Sequence, residues 1–161
     1  MVSRCFRASS AGYTFIELII ATAVMMVLAS AALPVARVSI RRSKEAELHR
    51  DLREMRSAID DFKRWADAQR ISTMEINIGN ENYPPSLETL VDGVPFANDP
   101  SGRKKKFLRR IPIDPVTGKT EWGLRGYTDS ADSTAWSGQS VYDVYSKAPG
   151  KGLDGTKYRD W

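Results

Sequence analysis

The chain has a single cysteine, Cys5, and a single histidine, His49. One cysteine cannot form an intrachain disulfide. Together the two residues are too few for a zinc centre. His49 has no serine or cysteine nucleophile with an orienting acid laid out around it, and its strongly charged setting reads as a solvated helix face. No Gly-Lys-Ser/Thr phosphate loop is present, so the chain carries no nucleotide-hydrolysing motor of its own. Acidic residues are scattered without a convincing nucleophile–base arrangement, so no enzyme is expected. The charge excess is only +4, with a pI near 9.3. Surface Lys and Arg commonly give such a value, which singles out no nucleic-acid partner. Internal repeats and low-complexity runs are also missing.

Charge is unevenly distributed. Residues 18–36 hold no Asp, Glu, Lys or Arg. At roughly 1.5 Å per residue they span about 28 Å as a helix, close to the ~30 Å hydrocarbon core of a bilayer. Backbone N–H and C=O groups in lipid must pair within the segment, so it is expected to be helical. The competing reading is a core helix of a soluble domain, but so small a chain has little to bury it with. Ahead of the run lies a short polar leader with Arg4 and Arg7. An ordinary secretory signal places its small-residue cleavage site after the apolar run. Here Gly12 precedes it. Cleavage at Gly12 would remove the leader and keep the apolar helix.

The junction reads Gly12-Tyr13-Thr14-Phe15-Ile16-Glu17-Leu18-Ile19-Ile20. It resembles the N-terminal signal of type IV pilins and pseudopilins, in which a glutamate is embedded in apolar residues just after the processing site. The resemblance implies cleavage between Gly12 and Tyr13 by a prepilin peptidase, and methylation of the Tyr13 nitrogen. It also implies that Glu17 pairs with the N-terminal amine of a neighbouring subunit. An acid deep in a membrane helix costs on the order of 2.5–3.5 kcal/mol, which gives Glu17 a reason to find a countercharge. A carboxylate snorkelling to the interface is the alternative. Pro34 cannot donate to the Ser30 carbonyl and is expected to kink or loosen the helix. The family carries a proline at the matching distance from its processing site.

Arg37, Arg41, Arg42 and Lys44 follow the run, whereas only Arg4 and Arg7 precede it. Loop charge alone would put the C-terminal side in the cytoplasm. The processing motif points the other way, to a single-pass inner-membrane protein with a periplasmic C-terminal domain.

Beyond the run, Leu48, Leu52, Met55, Ile59, Phe62 and Ala66 recur at spacings of three and four, one stripe of a helix. A single helix is expected from about Thr14 to about Arg70, roughly 85 Å long if unbroken. Asn77, Gly79, Asn80, Asn82 and Pro84-Pro85 mark a loop. Ser86 should cap a short helix over residues 87–91. Residues 94–106 read as loop, and residues 120–126 and 140–146 as strands. Arg103, Lys104, Lys105, Lys106, Arg109 and Arg110 form a basic cluster. It reads as a solvated loop, with phospholipid headgroups or an acidic partner as the alternative.

The fold class expected is α+β, with a long N-terminal helix, transmembrane in its first half, packed on a small antiparallel sheet. The divisions are a leader (1–12), a membrane or filament-core helix (13–36), its amphipathic continuation (37–70) and a globular domain (71–161). Tyr83-Pro84-Pro85-Ser86-Leu87-Glu88-Thr89-Leu90, Ile113-Asp114-Pro115 with Gly118, and the ending from Tyr142 to Trp161 resemble the major pseudopilin of type II secretion systems. That resemblance implies a homopolymeric filament supporting protein export across the outer membrane. Its implied partners are minor pseudopilins and an inner-membrane assembly platform. A type IV pilin of a surface pilus is the alternative. The family often binds calcium in the C-terminal loop. Here Asp143, Ser146, Asp154 and Asp160 offer oxygens. Lys147-Ala148-Pro149-Gly150 departs from the usual pattern, leaving a metal-free hydrogen-bonded loop equally open.

Overall fold

The computed structural model describes residues 12–72 and 81–161. The leader with Cys5, Arg4 and Arg7 lies outside the described residues, and so does the loop reading at Asn77, Gly79 and Asn80. The architecture is α+β: a long N-terminal helix with small antiparallel sheets, consistent with a pilin-like fold. The chain divides into two compact units, Met1–Arg41 and Arg42–Trp161. Helix α1, Phe15–Asp67, is 53 residues long and contributes to both.

In the first unit α1 is apolar and exposed. Met25, Met26, Val27, Leu28 and Val35 are each about two-thirds open. This is the one described helix long and apolar enough to cross a membrane. A monomer in water would not leave so much contiguous apolar surface uncovered. The hydroxyls in this stretch are satisfied locally. Thr22 donates to the carbonyls of Leu18 and Ile19 at 3.0 Å each, and Ser30 donates to Val27 at 2.7 Å. Pro34 sits inside α1, and helix continues on both sides of it.

In the second unit the stripe read from the sequence forms the core. Leu48, Met55, Ile59 and Phe62 are fully buried, and Leu52 and Ala66 nearly so. Phe107 meets the Phe62 ring at 5.2 Å between centroids, and Trp65 packs edge-on to Phe96. The helix ends slightly before the expected Arg70. Gln69 takes φ +52, its N–H bonds Ala66, and the N–H of Arg70 bonds Trp65. This six-to-one and five-to-two pattern closes a helix with a left-handed residue, usually glycine, and here glutamine fills the place.

Helix α2, Leu87–Asp92, follows. As expected, Ser86 caps it, accepting from the Thr89 N–H, and Leu87 and Leu90 turn inward. Gly93 ends it at φ +80, where a Cβ would lie 2.7 Å from the Lys105 carbonyl oxygen. The stretch after it is not the plain loop expected. β1 (Val94–Pro95) pairs antiparallel with β2 (Lys104–Lys105), with Val94 opposite Lys105. The turn between them is held by Asp99, which accepts from Ser101 and pairs with Arg103 at 2.8 Å. The Ser101 hydroxyl first, and then Arg103, hold the Asp99 carboxyl down to about 2. The second sheet pairs β3 (Trp122–Arg125) with β4 (Asp143–Ser146), inside both expected strand windows. Gly123 lies opposite Tyr145, whose ring covers it; a Cβ there would collide with the ring.

Candidate functional site

The N-terminal site begins with three residues outside the helix. Gly12 is exposed, and a Cβ there would meet no atom within 4 Å, so packing does not explain the glycine. Tyr13 is 85% exposed. Thr14 starts α1: its Oγ1 accepts the N–H of Glu17 at 3.3 Å, and its carbonyl accepts that of Leu18. This is half of a Thr-x-x-Glu capping box, a local signal that the resemblance overshadowed. Glu17 therefore sits in the first turn of α1, where the helix dipole favours negative charge. Its carboxylate is exposed and takes no hydrogen bond or ion pair among the described residues. The structure thus joins Tyr13, Thr14 and Glu17 at one helix start, with Pro34 further along the same helix.

The C-terminal residues offered to calcium are each engaged elsewhere. Asp143 Oδ1 accepts from Arg56 Nε at 2.7 Å, and its Oδ2 accepts from Arg125 Nη1 at 3.3 Å. Ser146 Oγ donates to Asp114 Oδ2 at 2.5 Å and accepts from the Ala148 N–H. Asp154 closes its own turn on Thr156 N–H and Oγ1, which lower its pKa, the hydroxyl most. Asp160 pairs with Arg159. A calcium ion needs six to eight oxygens converging on one point. These four do not converge, and among the described residues no group of three or more His, Cys, Asp or Glu could hold a metal. Two guanidinium groups stand against Asp143 instead, so the set does not fit a cation.

Arg56, Arg125 and Glu45, which organise this end of the domain, were not singled out by sequence. Arg56 Nη2 also donates to the carbonyls of Val144 and Trp161, at 3.1 and 2.6 Å. Arg125 is buried and donates to Ser133 and Arg159 carbonyls, with its guanidinium 4.3 Å from the centre of the Tyr145 ring. Glu45 accepts from the Leu153 N–H and the Tyr158 hydroxyl. His49 is exposed as expected, yet its ring stacks on Trp161 at 4.1 Å. Asp114, wholly buried, accepts the Val116 and Thr117 N–H groups, which explains the Asp114-Pro115 turn and Gly118 at φ +72. One face of α1 thus grips the chain's last eleven or so residues through Glu45, His49 and Arg56.

The basic cluster is partly structural. Lys105 lies 4.9 Å over the Trp65 ring and Arg103 is held by Asp99. Lys104, Lys106, Arg109 and Arg110 are exposed.

Residues 7–33 match the family model described as the prokaryotic N-terminal methylation motif. No curated protein and no solved structure matches the chain. The motif indicates a type IV pilin-like or pseudopilin subunit, processed by a prepilin peptidase and assembling into a filament in the membrane.

Proposed function

We propose that this chain is a structural subunit of a type II secretion pseudopilus, anchored in the inner membrane with its C-terminal domain in the periplasm. Cleavage falls between Gly12 and Tyr13, and the Tyr13 nitrogen is methylated. The chain polymerises with its own copies and with minor pseudopilins on an inner-membrane platform. It catalyses nothing; its work is mechanical.

The observation that carries this reading is the solitary carboxylate of Glu17 at the start of an exposed apolar helix. Unit charges 4 Å apart attract by about 4 kcal/mol at an effective dielectric near 20. That is comparable to the insertion cost of an acid, so an amine from the next copy offsets it. The pair forms only when two helices lie in one register, which sets the stagger of the filament. The looser likeness of the Tyr83 to Leu90 segment and of the C-terminal tail supports a secretion pseudopilus over a surface pilus.

The test is Glu17→Ala in the full chain, expressed with its peptidase and assembly platform. A mature N-terminus at Tyr13 is expected, with filaments lost. Normal filaments from the variant would contradict the pairing. Reconstitution with a secretin and secretion ATPase, set against a pilus retraction system, separates pseudopilus from pilus by which one restores assembly.

A further inference from the structure

One groove is not accounted for by assembly or by packing. Glu47, Asp51 and Glu54 fall at spacings of four and three, on one face of α1. Arg109 and Arg110 form the facing wall, and the groove between them encloses about 760 Å³. Ile113 lines it too and is 60% exposed. No ion pair joins the two walls among the described residues.

Asp51 is the key residue. It is only 6% exposed, lines the groove, and takes no hydrogen bond or ion pair among the described residues. Its flanking glutamates and buried Asp114 add further negative charge, which Arg50, on α1 and also lining the groove, offsets in part without an ion pair to Asp51 among the described residues. A buried carboxylate without a donor is unfavourable by several kcal/mol in general, unless a cation with N–H groups reaches it. The opposite wall asks for an anion, since arginine forks suit phosphate oxygens. A lysine from a protein would satisfy the acids and leave the arginines facing it. A plain phosphate would do the reverse.

We propose that this groove binds the phosphoethanolamine headgroup of a membrane phospholipid. The ammonium donates to Asp51, with Glu47 and Glu54 around it. The phosphate lies against Arg109 and Arg110, and the exposed Ile113 meets the start of the acyl region. A choline headgroup has the positive charge without the N–H donors. A phosphatidylglycerol headgroup has the phosphate without the ammonium. A lipid, not a soluble phosphoethanolamine, is the source, because Ile113 offers apolar surface and the membrane-length run ends close along the chain. The inference rests on membrane anchorage and not on Glu17 pairing.

The experiment uses the full chain in mild detergent, mixed with phosphatidylethanolamine, phosphatidylcholine, phosphatidylglycerol or free phosphoethanolamine. Retained lipid is counted by native mass spectrometry. Phosphatidylethanolamine should be held about tenfold more tightly than the choline lipid, the difference one charged hydrogen bond can make. Asp51→Asn should abolish the preference, the Arg109→Ala/Arg110→Ala pair should weaken retention of both lipids alike, and Glu17→Ala should change neither. Asp51→Asn relieves a buried charge, so misfolding should not obscure the result; thermal melting checks this. Equal retention of the ethanolamine and choline lipids would overturn the proposal, as would undiminished preference in Asp51→Asn. Free phosphoethanolamine competing as well as the lipid would overturn the membrane source. Copies that crosslink through Asp51→Cys without retaining lipid would overturn it in favour of a second chain.

Discussion

Replacing Arg125 by methionine is the sharpest test of how the C-terminal end is held. The guanidinium is buried and makes bonds to the Ser133 carbonyl, the Arg159 carbonyl and Asp143, besides lying over Tyr145. Methionine keeps much of the volume and removes every donor. Breaking a buried ion pair outright costs roughly 3–5 kcal/mol. Here Asp143 keeps Arg56 at 2.7 Å, so its charge is not stranded. What remains is two carbonyls losing a charged donor, and the expected loss is about 2–3 kcal/mol. For a domain of this size that lowers Tm by on the order of 10 °C. Arg56→Met should cost less, about 1–2 kcal/mol, because water reaches its half-open side chain and can replace the lost bonds. The assay is thermal melting of the full chain in detergent, followed by near-UV circular dichroism and repeated with added calcium and with chelator. Calcium should move neither variant nor parent. An Arg125→Met that melts with the parent, or a parent stabilised by calcium, would refute the assignment of Asp143 to the arginines.

Three further outcomes follow from separate features. Gly123→Ala places a methyl group inside the Tyr145 ring, and should lower stability by about 1–3 kcal/mol in urea melts; adding Tyr145→Ala should give a combined loss smaller than the sum of the two. Burial first, and then Glu47, push the Asp51 carboxyl up. The folded chain then holds a proton that the unfolded chain has released, so stability falls as pH rises from about 3.9 through the raised folded value. Asp51→Asn should therefore raise Tm at neutral pH in lipid-free detergent, with the advantage vanishing below about pH 4; no gain at neutral pH would count against a donorless carboxylate. Thr14→Ala removes the acceptor for the Glu17 N–H and should speed amide exchange over the first turn of α1 by roughly fivefold, near 1 kcal/mol, while Thr14→Ser should leave it unchanged.

Much of the fold was legible because helices report burial through period. Leu48, Leu52, Met55, Ile59, Phe62 and Ala66 announce a buried face without any knowledge of what covers them. Ser86 announces a helix start for the same local reason. The end of α1 was less legible, since glutamine at position 69 carries none of the glycine signal for a left-handed residue. The β1–β2 pairing was not legible at all. A two-residue strand containing Pro95 opposite two lysines has no β signature, and only the contact across the hairpin creates it. The contacts of the C-terminal residues were hidden for a related reason. Asp143 lies 87 positions from Arg56. A carboxylate three positions before a serine looks the same in sequence whether a metal ion or a guanidinium will answer it. The N-terminal site was the most legible, since Gly12, Tyr13, Thr14 and Glu17 are chain neighbours and their chemistry is local.

Thr22 and Ser30 turn their hydroxyls back onto their own helix. Nothing sticky is left along that stretch for a neighbour to read, so two copies drifting past each other in the bilayer meet a smooth rail with a single notch near its tip. On the proposed pairing, lengthening the spacing between Tyr13 and Glu17 by one helical turn should shift the stagger between neighbouring copies by about 5 Å, whereas the same insertion after Glu17 should leave it unchanged.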